Sequence, residues 1–149
     1  MNDLQALKGP LAILLLLASV LLVIAILISA GITEFIVPPP EQVAAGMVDA
    51  LGARRYEGAL NQMSEEVKNQ VRIEDLRQLV DEIEARHQGI DQAEGVDSQV
   101  QGDSASATVQ VRTQDGQEHI LQFPLSSQNG IWSVDSIDPL SQLAASVQQ

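Results

Sequence analysis

Leu11 to Ala30 is a run of twenty residues without one charge: fourteen are Leu, Ile or Val, and Ala and Ser fill the other six places. No other feature limits the chain so strongly. As a helix, twenty residues span roughly 30 Å, the thickness of a bilayer's hydrocarbon core. Each Leu, Ile or Val near the centre favours insertion by roughly 0.3–0.6 kcal/mol, and no charge opposes the sum. The run is expected to be a transmembrane helix over 11–32, with Leu11, Leu16, Leu22 and Ile28 among its lipid-facing residues. Residues 1–10 form a short tail before it. A cleaved signal peptide would have a shorter apolar region ending in small-x-small, whereas Ile28-Ser29-Ala30 puts a bulky side chain at the first of those positions.

Lys8 precedes the run, and the next basic residues are Arg54 and Arg55. That bias places the N-terminus in the cytoplasm and the rest of the chain outside, as a single-pass protein of the cell membrane. Phe35 is the one aromatic residue near the outer end.

Pro38, Pro39 and Pro40 follow. Three prolines favour the extended polyproline II form at about 3.1 Å per residue. Residues 33–40 therefore read as a stiff spacer that holds the next element away from the bilayer. From Glu34 onward the chain carries nineteen acidic and seven basic residues, a net charge of −12. Such a segment is repelled by anionic headgroups and offers no basic patch to displace counterions from nucleic acid. Cationic partners would be attracted.

Residues 41–138 suffice for one small domain, with 139–149 as an amphipathic tail. In the first half, Val43, Met47, Ala50 and Leu51 recur at helical spacing. A second short helix places Tyr56, Ala59, Leu60 and Met63 on one side. Ser64 before Glu65-Glu66 is an N-cap, opening a longer helix with Leu76, Leu79, Val80 and Ile83 inside and Gly89 as its C-terminal cap. The second half alternates with period two. Val96, Ser98 and Val100 lead into Ala105, Ala107, Val109 and Val111. Asp115-Gly116 turns the chain into Leu121, Phe123 and Leu125. Asn129-Gly130 turns it again into "IWSVDSI". Helices followed by an antiparallel meander give an α+β domain, with a curved four-stranded sheet covered on one face. Leu140, Leu143, Ala144 and Val147 have the spacing of a short tail helix.

The stretches "PEQVAAGMVDALGARRYEGALNQMSEEV" and "GIWSVDSIDPL" resemble the nuclear transport factor 2-like (cystatin-like) superfamily, in particular its small bacterial members behind an N-terminal anchor. The resemblance covers residues ~40–138. It implies a conical half-barrel able to enclose a pocket and a tendency to pair through the sheet, giving a homodimer. It also implies service as an assembly component beside other membrane proteins.

Candidate chemistry is sparse. His87 sits at the end of an acidic helix, where the dipole favours a cation, and reads as a cap. His119 shares a face with Leu121 and Phe123, while Asp135 falls in another register, so no His–Asp general base forms. No His/Cys cluster suits a metal, no Gly-rich phosphate loop is present, and no Ser–His–Asp set can be assembled from a local signature. The chain is therefore expected to be no enzyme and to carry no cofactor. Tyr56, His119 and Trp132 are the candidates for lining a pocket in the cone. The expected function is an accessory or assembly subunit of a membrane complex. The alternative is a tethered pocket that binds or slowly turns over a small apolar molecule.

Overall fold

The structure is a computed structural model describing residues 3–32 and 37–146, with the side chains of 9–26 and 37–146. The chain divides into two compact units, 1–36 and 37–149.

The described residues of the first unit form one helix, α1 (Asp3–Ile32). It takes in residues expected as a tail and continues through Pro10, which has no N–H to give it. Gly9–Ile26 carries no charged residue and has no buried residue, so Leu11, Leu16 and Leu22 are all exposed. The helix is long and apolar enough to cross a membrane. The Ser19 hydroxyl donates back to the Leu16 carbonyl (2.8 Å), which satisfies its own donor on this apolar surface. The Ile28 side chain and residues 33–36, Phe35 and half of the expected spacer among them, lie outside the described residues.

The second unit opens at the prolines. Pro39 has φ −64° and ψ 159°, the polyproline II conformation expected of it. Pro40 departs from the spacer reading: it is the first residue of α2 (Pro40–Gly52), and it is buried. The first helical position needs no N–H, so proline suits it. The buried stripe of α2 is wide, running from Val43, Ala44 and Ala45 through Met47 and Val48 to Leu51. Next come α3 (Tyr56–Asn61), with Ala59 buried, and α4 (Glu65–Gln70), capped by Ser64 accepting from the Val67 N–H.

The single long helix expected after Ser64 is broken. Val71 and Arg72 are extended, and the Asp75 carboxylate accepts the Arg72 N–H (2.8 Å), starting α5 (Ile73–His87). Its inner face is Leu76, Leu79, Val80 and Ile83, as expected. The left-handed cap is Gln88 (φ 64°), with Gly89 following at φ 112°, one residue beyond the position Gly89 was expected to fill.

The sheet is an antiparallel meander of β1 (Ile90–Gln101), β2 (Ser104–Thr113), β3 (Glu118–Gln128) and β4 (Ile131–Val134), in that order. It is curled into a half-barrel. Its covered face holds Ala107, Val109, Val111 and Phe123, none with exposed surface, and Leu121 and Leu125, nearly so. β1 departs from expectation. Irregularities between Ile90 and Gln92 and between Gly95 and Asp97 shift its register. Ile90 and Ala93 are then its buried residues, while Val96 and Val100 are about half exposed. The second irregularity takes Val96 out of the alternation: Ala93 and Gly95 stand opposite Val111 and Val109 before it, and Ser98 and Val100 opposite Ala107 and Ala105 after it. β4 is shorter than "IWSVDSI" and ends at Val134. α6 (Asp138–Ala145) then buries Leu140, Leu143 and Ala144 in the same core. Val147 lies outside the described residues.

Candidate functional site

His87, Thr113 and Asp115 form the one buried polar cluster among the described residues. His87 is 1% exposed. It follows Leu76, Val80 and Ile83 at intervals of four, three and four, the spacing of a helix's inner face. That spacing was the signal for burial, and reading His87 as a helix cap missed it.

Three elements meet on its ring. Nδ1 lies 3.2 Å from Asp115 Oδ2 in the β2–β3 turn. Nε2 lies 3.1 Å from the Leu143 carbonyl oxygen and 3.0 Å from Ser146 Oγ, both at the end of α6. Backbone bonds brace the turn: Asp115 N–H donates to the His87 carbonyl and Gln114 N–H to that of Gly89. The other Asp115 oxygen accepts from the Thr113 hydroxyl (2.5 Å) and the Gln117 N–H (3.1 Å).

A carbonyl oxygen can only accept, so Nε2 carries a hydrogen for Leu143. Nδ1 faces Asp115 Oδ2. The ring and the carboxylate form a buried pair that ties the C-terminus of α5 to the β2–β3 turn and to α6. Ser146, His87 and Asp115 also have the spacing of a nucleophile, base and acid. Here, however, Nε2 holds a proton where a general base needs a lone pair, and the Ser146 hydroxyl donates to Leu143 O (2.7 Å) instead. The set acts as a structural tie in this state.

His119 stands edge-on to His87, with ring centroids 5.0 Å apart and planes at 71°. Its Nε2 is 3.5 Å from Thr113 Oγ1. Burial pushes the His119 imidazole below its ordinary value, and the neighbouring His87 charge adds to this while Asp115 opposes it. A lowered folded value means that the unfolded chain takes up the proton first as pH falls. The stability from neutral His119 is complete above about 6.5, the ordinary value. It is lost as pH drops from there toward the lowered folded value. Thermal melts of the full-length protein in detergent should therefore show a larger fall in Tm between pH 7.5 and 5.5 for the wild type than for His119→Gln. An equal fall in both would assign the acid sensitivity to another group.

The other two candidates sit elsewhere. The Tyr56 hydroxyl accepts from Arg54 Nη1 (3.2 Å), and the Arg77 guanidinium lies 5.7 Å from its ring centroid. Arg54 itself reaches Asp81 (2.9 Å) and Glu84. Tyr56 borders an open hollow of about 430 Å³ with Arg54, Arg55 and Ile73. Trp132 is half-buried on β4 opposite Ser127 and packs on the core. Tyr56 and Trp132 both pack against the hydrophobic core, on α3 and β4, and His119 on β3 stands beside His87. Among the described residues, no group of three or more His, Cys, Asp or Glu is disposed to hold a metal ion.

No family model matches the sequence, and no curated protein matches it. Solved structures do match the fold. One is a Campylobacter jejuni protein proposed to be an NTF2-like transpeptidase, 18% identical, with a TM-score of 0.52 over 66% of this chain and 99% of that one. Another is a SEC-C motif containing protein from Rhodopseudomonas palustris, 14% identical, with a TM-score of 0.47 over 59% of this chain and 68% of that one. The first likeness shows the fold alone: the domain has a nuclear transport factor 2-like fold, α+β with a curled four-stranded sheet.

Proposed function

We propose that this chain is a single-pass, membrane-anchored accessory subunit whose extracytoplasmic domain makes protein–protein contacts within a membrane complex. The observation that carries the reading is the filled inner face of the sheet. Ala107, Val109, Val111, Phe123 and Val134 have no exposed surface, so the half-barrel is occupied by its own side chains. A pocket binder needs that volume open. Large apolar side chains are instead exposed on the sheet, at Val96, Val100, Ile120 and Ile131. An anchor such as α1 confines the domain beside other membrane proteins and raises the effective concentration of a weak contact. The transpeptidase proposal for the Campylobacter protein does not extend to this chain at 18% identity.

The test is a pull-down of the full-length chain in mild detergent, with co-purifying proteins identified by mass spectrometry. A stoichiometric set of membrane proteins is the expected result. Recovery of the bare chain across several detergents would overturn the reading.

A further inference from the structure

The two edges of the sheet differ in how they are closed. β1 is blunted in its first half: it carries two register shifts, and its outward-pointing Ala93 N–H is taken by Asp49 Oδ1 of α2 (2.8 Å). The opposite edge is only partly covered. β4 pairs with Leu125 to Gln128 and no further. Asp135 N–H then reaches back to the Pro124 carbonyl (2.8 Å), and the chain leaves for α6. β3 from Glu118 to Gln122 therefore has a strand on one side only.

The bond to Pro124 also sets the direction of the backbone there. Pro124 O points to the β4 side, and directions alternate along an antiparallel strand. Glu118, Ile120 and Gln122 therefore turn their N–H and C=O groups to the uncovered side, and in Pro124, of the same row, the missing N–H is one that would face away from β2. An open hollow of about 430 Å³ lies at this edge. Ile120, Gln122 and Pro124 wall one side, and Asp138, Pro139 and Gln142 of α6 wall the other. Ile120 is 61% exposed.

We propose that the β3 edge from Glu118 to Gln122 is a docking site for an extended, basic segment of a partner protein, which adds to the sheet as a short strand. This deepens the assembly reading and rests on it. Five residues of strand are about 17 Å long. The backbone groups supply the pairing, and Ile120 supplies an apolar contact for alternate side chains. Asp138 is the charged residue lining the hollow. Together with the net charge of −12 from residue 34 onward, it favours lysine or arginine in the incoming segment and speeds its approach.

The probe is a fluorescent, capped peptide, Lys-Val-Thr-Val-Lys, added to the full-length protein in detergent and followed by polarisation. Binding by the wild type is expected, weakened at least tenfold when Glu replaces both Lys or when the peptide's backbone is N-methylated at alternate residues. Gln122→Pro removes one edge N–H without touching the β2 ladder, as Pro124 already does. It should keep its melting temperature within a few degrees and lose at least tenfold in affinity. Ile120→Lys should behave likewise through charge. Unchanged affinity in a folded Gln122→Pro, equal binding of the Glu peptide, or no binding by the wild type would each overturn the site. The two readings fail separately. Partners that co-purify equally with wild type and Gln122→Pro would remove the edge and leave the assembly role standing, whereas a bare wild-type chain would remove the assembly role itself.

Discussion

Replacing His87 with alanine should lower the stability of the domain by about 3–5 kcal/mol, the cost of breaking a buried ion pair by removing one partner. At the ~4–8 °C per kcal/mol of small domains, Tm falls by more than about 10 °C. The reason lies in what is left behind. The Asp115 side chain is 6% exposed, so its carboxylate would face a void where the imidazole stood. The Leu143 carbonyl would be left with the Ser146 hydroxyl as its side-chain donor, and three elements would lose their common tie. An exposed histidine at a helix end is worth only about 0.3–1 kcal/mol, so one melt separates the cap from the buried pair. The double variant His87→Ala/Asp115→Asn supplies the second measurement. Neutralising the orphaned carboxylate should recover part of the loss, a coupling of the size seen between contacting residues, about 0.5–3 kcal/mol. A loss below about 1 kcal/mol for His87→Ala, with no recovery in the double variant, would mean that the ring carries no charge in the fold.

The fate of His87 shows what the sequence displays and what it hides. Helical spacing was enough to place Leu76, Leu79, Val80 and Ile83 on the inner face of α5, because an amphipathic helix is a one-dimensional pattern. The same logic found the stripe of α2, the Ser64 cap, the alternation of β2 and the turns at Asp115-Gly116 and Asn129-Gly130. The partners of His87 stand 28, 56 and 59 residues away. Asp115 read as a turn residue, which it is, and nothing local says that its carboxylate also meets a ring on another element. Sites assembled by tertiary contact are legible only after the elements have been placed.

Two smaller misreadings have local causes. The break between α4 and α5 contains neither glycine nor proline. Its signal was Asp75, three residues after Arg72, where a carboxylate can take a free N–H at a helix start. Val96 is exposed because it is the extra residue of the bulge between Gly95 and Asp97, whereas Val100 stands opposite Ala105 on the covered face and is still about half exposed. A bulge of that kind changes which alternate set faces the helices along a single strand while leaving the strand assignment correct.

Gly95→Val should be the second severe lesion, at about 3 kcal/mol, the upper end of ordinary overpacking. A Cβ at Gly95 would stand 2.6 Å from the Glu41 carbonyl oxygen, 2.7 Å from its carbon and 2.9 Å from its Cβ. The first two are backbone atoms in the first turn of α2, and no rotamer change can move them aside. Either α2 lifts from β1, thinning the layer over the sheet, or the bulged strand is pushed outward. Alanine at the same place should already destabilise, although glycine inside a strand usually costs about 0.5–1 kcal/mol relative to alanine. Gly58 is the internal control. It lies in α3 with Arg55 Cβ at 3.9 Å as the nearest obstacle, so Gly58→Ala should stabilise by up to about 1 kcal/mol. Denaturant melts of the three variants thus predict opposite signs for the same chemical change at two glycines. A neutral Gly95→Ala would show that the first turn of α2 does not rest against the bulge of β1. In that case the irregular register of β1 would need a cause other than room for the α2 backbone.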